Sequence, residues 1–195
     1  MNETGVWISA ISAFISALSA FIATWNYRQG RLNQMMSAAK WKKEYFADLQ
    51  KWSDESMLLL SEAMHLCELR PDRMKDNGFF DTRHQLRVSL SAQIDRGRWF
   101  FPNYATEEHG RHRQGAYRGY RPAVLDGLVH AYNAMTALDY ADAAKNTPRR
   151  SEVESAKRLF TTEIQKVLDP KTRDAEFASI LGQVAVAPKD ATVRR

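Results

Sequence analysis

The sequence predicts an all-α protein: one amino-terminal transmembrane helix followed by a cytosolic bundle of four to five helices. Residues 5–25 form an uncharged stretch of 21 residues. Farther along the chain, apolar residues recur every three or four positions, which is the spacing of amphipathic helices. Stretches in which apolar and polar residues alternate, typical of half-buried strands, do not occur. These observations favour a helical protein with a membrane anchor.

The uncharged stretch has the length and the flanks of a membrane span. As a helix it would extend about 31 Å at ~1.5 Å per residue, which matches a hydrocarbon core of ~30 Å. Trp7 lies near one end, and Trp25 and Tyr27 lie near the other, where aromatic belts are expected. A secretory signal is disfavoured, because residues 1–4 carry no Lys or Arg and the apolar run is too long.

The distribution of charge predicts the orientation. All 28 Lys and Arg residues lie at or after Arg28, together with 22 of the 23 acidic residues. Positive flanks stay inside, so we expect a single-pass protein of a bacterial inner membrane, with its amino terminus outside and its carboxyl-terminal domain in the cytoplasm. The one cysteine, Cys67, cannot form an intramolecular disulfide, which fits a reducing compartment. A basic domain beside a bilayer holds anionic lipid, stays soluble, or binds a phosphate-rich ligand.

The span contains a seven-residue repeat, written from Trp7 as WISAISA, FISALSA and FIATW. Seven residues correspond to about 3.5 per turn in left-handed helix bundles. On a helical wheel the bulky apolar residues, the serines and the alanines occupy three separate sectors. The small-residue sectors are Ser9, Ser12, Ser16 and Ser19, and Ala10, Ala13, Ala17 and Ala20. This segregation predicts helices that associate with other copies of the chain.

Two interpretations of the small-residue sectors stay open. In the first, the serine and alanine faces let helices approach closely in a dry seam. In the second, the alanines pack between helices and the serines line a polar path. Separate sectors favour the path, because close packing alone would accept any mixture of small residues. The span has no charged residue that would set ion selectivity or relay protons.

The rest of the chain divides into recognisable segments. We expect a stub at 1–4, the span at 5–25, a connector at 26–36 with Gly30 as a kink or hinge, a helical domain at 37–184 and a flexible tail at 185–195. Within the domain, the predicted helices are 37–70, 81–96, 122–144, 151–168 (with Ser151 and Glu154 as a capping box) and 171–181. The predicted core positions are Trp41, Tyr45, Leu49, Trp52, Leu59, Ala63, Leu66, Leu86, Val88, Leu90, Ile94, Val124, Leu125, Leu128, Val129, Tyr132 and Leu138.

Residues 95–121 are rich in arginine and aromatic residues. Arginine forks suit phosphate oxygens, and flat rings stack on bases, so the composition is typical of sites for a nucleotide or a single strand. The candidate ligand-binding residues are Arg96, Arg98, Arg111, Arg113, Arg118, Arg121, Tyr117 and Tyr120. A structural interpretation competes, in which residues 99–102 plug the bundle and the arginines pair with acids such as Asp95 and Asp126.

Signals for catalysis are weak. His109 and His112 lie beside Glu107 and Glu108, but no second ligand cluster follows. The sequence has no P-loop, no G-x-G-x-x-G, no H-E-x-x-H and no G-x-S-x-G. We therefore predict no catalytic residue, no metal site and no cofactor, and we expect Cys67 to be a core residue. An anchored hydrolase built around His109, His112 and Glu108 stays as a third possibility.

Two motifs carry a resemblance. Arg96-Gly-Arg-Trp-Phe-Phe-Pro-Asn103 and Arg118-Gly-Tyr-Arg121, together with the serine-rich span, resemble the transmembrane effector of Hailong-type phage-defence systems. The resemblance implies a homo-oligomeric, ion-channel-like effector held closed by a short DNA oligomer, which a partner nucleotidyltransferase makes. Loss of the oligomer during infection would open the channel and depolarise the cell. For the arginines of the two motifs the resemblance implies only a general role.

The leading hypothesis is thus an oligomeric membrane effector whose basic domain recognises a nucleic-acid or nucleotide signal. Its expected partners are further copies of the chain, with a tetramer as the suggested size, membrane lipid, the DNA oligomer and the nucleotidyltransferase. The alternative is a non-conducting, membrane-tethered scaffold that binds a protein partner, with the serine and alanine faces as a dry seam.

Overall fold

The computed structural model describes residues 3–70, 74, 77–171 and 175, and for residues 3–6 and 8–10 it describes the backbone alone. The described residues form four α-helices: α1 Glu3–Leu66, α2 Gly78–Phe100, α3 Ala123–Thr136 and α4 Thr147–Leu168. Short 3₁₀ turns lie at Gly115–Tyr117 and Ala143–Asn146. The prediction of an all-α protein is confirmed.

Across the residues that the structure describes, no helix has a stretch that is both long enough and apolar enough to cross a membrane.

The chain divides into two compact units, of which the structure describes residues 3–45 in one and residues from 46 onward in the other. In the first unit, α1 is helical through the predicted connector 26–36, and Gly30 lies inside the helix. One glycine costs a helix about 1 kcal/mol relative to alanine, which is too little to end so long an element. The bulky apolar side chains described here are at least 49% exposed: Trp7, Ile11, Phe14, Ile15, Leu18, Phe21, Ile22 and Trp25.

The second unit is built around Trp52 of α1. Its indole Nε1 donates to the backbone oxygen of Gln93 in α2 at 3.0 Å. Its ring lies 5.8 Å from Phe100, 5.7 Å from Phe101 and 5.6 Å from Phe160 of α4, measured between ring centres. Aromatic pairs at this separation add to the free energy of burial. One side chain thus joins α1, α2 and α4.

Most predicted core positions are buried, four are half-buried (Tyr45, Leu59, Val129 and Tyr132), and two are exposed. The buried ones are Leu49, Trp52, Ala63, Leu66, Leu86, Leu90, Ile94, Val124, Leu125, Leu128 and Leu138. Trp41 is 69% exposed and Val88 is 51% exposed, so these two predictions are wrong. Val88 lies two residues from both Leu86 and Leu90, and residues two apart do not share a helix face.

The first two helices end elsewhere than predicted. α1 ends at Leu66 rather than at Arg70, and α2 extends past both ends of the predicted 81–96. Gly97 does not end α2, because the backbone continues through a hydrogen bond from Phe101 N to Gly97 O at 2.8 Å. A Cβ at this position would lie 2.4 Å from Leu125 Cδ2 and 2.6 Å from Trp52 Cζ2. The glycine is therefore a packing contact inside the helix.

α3 ends at Thr136, earlier than the predicted Ala144, because a buried amide shapes the next segment. Asn146 is fully buried; its Nδ2 donates to Asp139 O (2.9 Å) and its Oδ1 accepts from Asp139 N (2.7 Å). Backbone N–H groups donate to the carboxylate of Asp139 and hold its pKa below the ordinary value. Residues 137–146 thus form a folded connection instead of a continued helix.

α4 begins at Thr147, with a proline in its first turn, so the start predicted at Ser151 is wrong. Ser151 and Glu154 lie inside the helix and form no capping box; the carboxylate of Glu154 accepts from Arg158 Nη2 at 2.6 Å. Of the helix predicted at 171–181, the structure describes residues 171 and 175 alone, and the tail predicted at 185–195 lies outside the described residues.

Candidate nucleic-acid interface

Residues 101–122 connect α2 to α3, and a pair of tyrosines closes this loop. Tyr104 N donates to Tyr120 O (3.1 Å), and Tyr120 N donates to Tyr104 O (2.8 Å). The two rings lie 5.8 Å apart, and the His109 ring stacks on Tyr120 at 4.4 Å. Asn103 Nδ2 also donates to Arg118 O at 2.8 Å. These contacts bring the two arginine-glycine motifs together.

Gly119 is required by the backbone of the second motif. Its φ is +81°, in the left-handed region that side chains disfavour. A Cβ here would lie 2.2 Å from Tyr104 O, inside the space that the tyrosine pair needs. The motif therefore includes a glycine for reasons of conformation and close approach.

Arg98 ties the end of α2 to the middle of the loop. Its Nη1 donates to Asn103 Oδ1 and to Ala116 O, both at 3.2 Å. Its guanidinium lies 4.6 Å from the centre of the Tyr117 ring, and its Nε lies 3.6 Å from Asp95 Oδ1. The side chain is only 15% exposed. Its Nη1 is thus engaged inside the protein, which suits a residue that positions the loop, while its buried Nε has no hydrogen-bond partner among the described residues.

Arg96 and Arg121 each pair with a carboxylate. Arg96 Nη1 lies 3.4 Å from Glu55 Oε2 on α1, and Arg121 Nε donates to Asp126 Oδ1 at 2.6 Å. For Arg121 this is the pairing that the structural interpretation of the loop expects. Both side chains keep part of their surface in solvent, since they are 56% and 35% exposed.

Arg111, Arg113 and Arg118 form the unpaired part of the basic surface. All three are exposed, and none forms an ion pair with any residue that the structure describes. Arg111 Nε donates to the backbone oxygen of Glu107, and Arg118 Nε donates to Arg113 O at 2.8 Å. These bonds to neutral carbonyls orient the side chains but leave their charges uncompensated. The three guanidinium groups can therefore donate hydrogen bonds to phosphate oxygens.

The aromatic candidates lie in the same loop as these arginines. Tyr117 and Tyr120 are 44% and 48% exposed, so each ring keeps accessible surface although one contacts Arg98 and the other His109. Exposed rings of this kind can stack on bases.

Trp99 belongs to the same surface, although it is not among the ligand-binding residues predicted from the sequence. It is 79% exposed and borders a cleft of about 490 Å³ with Asp95 and Asn103. Of the residues predicted to plug the bundle, Phe100 and Phe101 contact Trp52, whereas Trp99 does not take part. The buried face of α2 contains positions 90, 94 and 97, and the same spacing of three or four residues leads next to position 101. Trp99 does not follow this spacing, so it lies outside the core.

The small residues of the predicted span lie on the surface of the first unit. Ser12, Ser16 and Ser19 are exposed, as are Ala13, Ala17 and Ala20, whereas the side chains of Ser9 and Ala10 lie outside the described residues. Ser16 Oγ donates to Ser12 O, one turn earlier, at 2.9 Å. Serines of this sector can thus satisfy their hydroxyls within their own helix.

The candidate histidine site gains no metal ligands from the fold. Within the described ranges, no three His, Cys, Asp or Glu side chains lie close enough to hold a metal ion. His109 is stacked on Tyr120, and His112 is exposed. Cys67 is 6% exposed, and burial raises the pKa of its thiol to about 11. The thiol is therefore protonated at neutral pH, as expected for an unreactive core residue.

Comparison with known protein families, curated proteins and solved structures finds no match to this chain.

Proposed function

We propose that this chain is a membrane-anchored, self-associating effector whose basic domain binds a nucleic acid or nucleotide through the loop at 101–122. The observation that carries the proposal is a group of exposed arginines without a carboxylate partner among the described residues, Arg111, Arg113 and Arg118, in the same loop as the exposed rings of Tyr117 and Tyr120. The protein acts by binding and not by catalysis.

The chemistry of the loop favours a ligand with several phosphates and at least one base. Uncompensated guanidinium groups attract polyanions, and the attraction weakens with salt. An acidic peptide would satisfy the charges, but it would leave the tyrosines and Trp99 without a matching flat surface. Nucleic acid supplies both the phosphates and the rings.

The anchor is supported by the uncharged sequence of residues 5–25 and by the surface of the described part of α1. Bulky side chains such as Ile11, Phe14 and Phe21 are 57–70% exposed and need an apolar environment. A bilayer supplies that environment on one side of the helix, and neighbouring copies of the helix supply it on the others. The Lys and Arg residues from position 28 onward favour the cytoplasmic side for the basic domain.

Within such an assembly, the serines line a path for ions and the alanines form the contacts between helices. The resemblance to Hailong-type effectors supplies a specific form of the signal: a short DNA oligomer, made by a partner nucleotidyltransferase, that holds the path closed. Loss of the oligomer during phage infection then depolarises the cell.

The test is the membrane potential of cells, measured with a voltage-sensitive dye after induction of the full chain. Wild type is expected to depolarise the cells once the nucleic-acid signal is removed, and the double variant Ser12→Leu/Ser16→Leu is expected to insert but not to depolarise them. The matched control is Ile11→Leu/Ile15→Leu, which has the same spacing on the bulky sector and should behave as wild type. Equal depolarisation by the serine variant would exclude the serine-lined path.

One observation favours the second candidate, a non-conducting scaffold that binds a protein partner. The hydrogen bond from Ser16 Oγ to Ser12 O satisfies the hydroxyl within the helix, as expected for a dry seam. The two functions separate by experiment: a scaffold self-associates and never depolarises cells, whatever the nucleic-acid signal.

A further inference from the structure

Arg87 of α2 is a half-buried cation that no carboxylate of the described residues neutralises. It forms no ion pair with any described residue, and its hydrogen bond from Nη2 to the Tyr132 hydroxyl is long, at 3.4 Å. The guanidinium lies 5.5 Å from the centre of the same tyrosine ring. Its Nε is shielded from solvent and has no acceptor within the part of the chain that the structure describes. A shielded charged donor without a partner destabilises the protein, and an anion bound at the terminal nitrogens would neutralise the charge of the same group.

The side chain borders a pocket of about 450 Å³ between α2 and α3. This volume lies within the range of small-molecule sites. His84 and Ser91 of α2 add polar groups to the wall, and Tyr132 of α3 adds its hydroxyl. Val88, which is 51% exposed, adds an apolar surface. The walls therefore combine one cation, neutral hydrogen-bonding groups and an apolar patch.

The pocket wall carries a positive charge at Arg87 and a negative charge at Asp95. Asp95 lies at another part of the wall, and its carboxylate is 3.6 Å from Arg98 Nε, so its charge is already engaged. An anion would be repelled from Asp95 and attracted to Arg87. This polarity orients a ligand with its negative group at Arg87.

We propose that this pocket binds a small organic molecule that carries a carboxylate or phosphate group, with Arg87 as the partner of the anion. The Tyr132 hydroxyl donates a second hydrogen bond, and the body of the ligand lies against Val88. The proposal is independent of the function assigned to the loop, since Arg111, Arg113 and Arg118 do not line this pocket.

The experiment is calorimetric titration of the full chain with benzoate and with phenyl phosphate, at an ionic strength held constant with sodium chloride. We expect saturable binding of at least one probe; which of the two binds identifies the anionic group. Arg87→Ala should weaken binding at least about tenfold, as expected for loss of a hydrogen bond to a charged group. The matched control is Arg158→Ala, which removes an exposed arginine already paired with Glu154 and should bind as wild type.

Two further variants guard against misfolding of Arg87→Ala. Arg87→Lys keeps the charge but loses the planar fork, so it should bind several-fold more weakly than wild type. Tyr132→Phe removes only the hydroxyl and should also weaken binding. The proposal is overturned if wild type shows no saturable heat with either probe, or if Arg87→Lys and Arg87→Ala both match wild type.

Discussion

The guanidinium of Arg98 lies 4.6 Å from the centre of the Tyr117 ring, and the same side chain donates to Asn103 Oδ1 and Ala116 O. A residue at the end of α2 thus holds three points of the loop that carries the exposed arginines. The shape of the candidate interface depends on an arginine that is itself almost covered.

Arg98→Ala should destabilise the protein by about 2 kcal/mol, because charged hydrogen bonds and a cation–π contact are lost together. It should also weaken oligonucleotide binding through disorder of the loop. Arg96→Ala is the matched control, since its exposed pair with Glu55 contributes about 0–1 kcal/mol. Urea unfolding of both variants measures the difference, and equal midpoints would contradict the positioning role of Arg98.

Gly97→Ala should destabilise the protein by about 1–3 kcal/mol through overpacking. The added Cβ would lie 2.4 Å from Leu125 Cδ2 and 2.6 Å from Trp52 Cζ2, so the core must move to admit it. Gly115→Ala is the control, because no described atom beyond its chain neighbours lies within 4 Å of the Cβ position there. Chemical denaturation followed by tryptophan fluorescence measures both; a Gly97→Ala variant as stable as the control would show that the contact relaxes freely.

Gly119→Ala should disrupt the loop while sparing the helices. A side chain at φ +81° is strained, and its Cβ would clash with Tyr104 O. The amides of Tyr104 and Tyr120 should then exchange with solvent much faster, with little change at core positions such as Leu128. Hydrogen exchange by mass spectrometry provides the measurement. Unchanged protection of the two tyrosine amides would refute the tyrosine pairing as the closure of the loop.

Arg111→Ala/Arg113→Ala should weaken binding of a single-stranded oligonucleotide and flatten its salt dependence. Each lost phosphate contact should reduce the slope of log K against log salt by about 0.7. The control, Arg149→Ala/Arg158→Ala, removes two arginines that pair with Glu152 and Glu154 at 2.6 Å. Fluorescence anisotropy across a salt series measures the slopes; an identical slope for the loop variant and wild type would exclude these arginines from the site.

Cys67 should make the protein less stable in alkali. Burial raises the pKa of its thiol from 9.0 to about 11 in the folded state. Between these values the unfolded thiol ionises and the folded one does not, so the free energy of unfolding falls as pH rises, by up to about 1.4 kcal/mol per pH unit. Cys67→Ala lacks this contribution. Urea unfolding of both proteins from pH 8 to 11 should show that the free energy of unfolding falls more steeply for wild type. Parallel curves for the two proteins would disprove the contribution of the buried thiol.

Much of the fold follows from local pattern. Apolar spacing of three and four residues predicted the buried positions Leu49, Trp52, Leu90 and Leu128, because a helix can bury only one stripe of its surface. The same reasoning failed at Val88, which the pattern of its own helix places on the opposite face. Helix ends were less predictable. α3 ends at Thr136, and the side chain of Asn146, ten residues farther along, forms two hydrogen bonds with the backbone of Asp139 in the segment that follows.

The candidate site was predictable as a region but not residue by residue. Composition along 95–121 was sufficient to identify a basic, aromatic segment, since charge and ring content need no knowledge of contacts. Which arginines are free depended on packing: Arg98 is committed to Tyr117, Arg121 to Asp126, and Arg113 to no carboxylate that the structure describes. The pairing of Arg121 with Asp126 joins residues five apart and could be expected from the sequence. Arg98 meets Tyr117 only because the loop folds back onto the end of α2, and local sequence patterns carry no record of that contact.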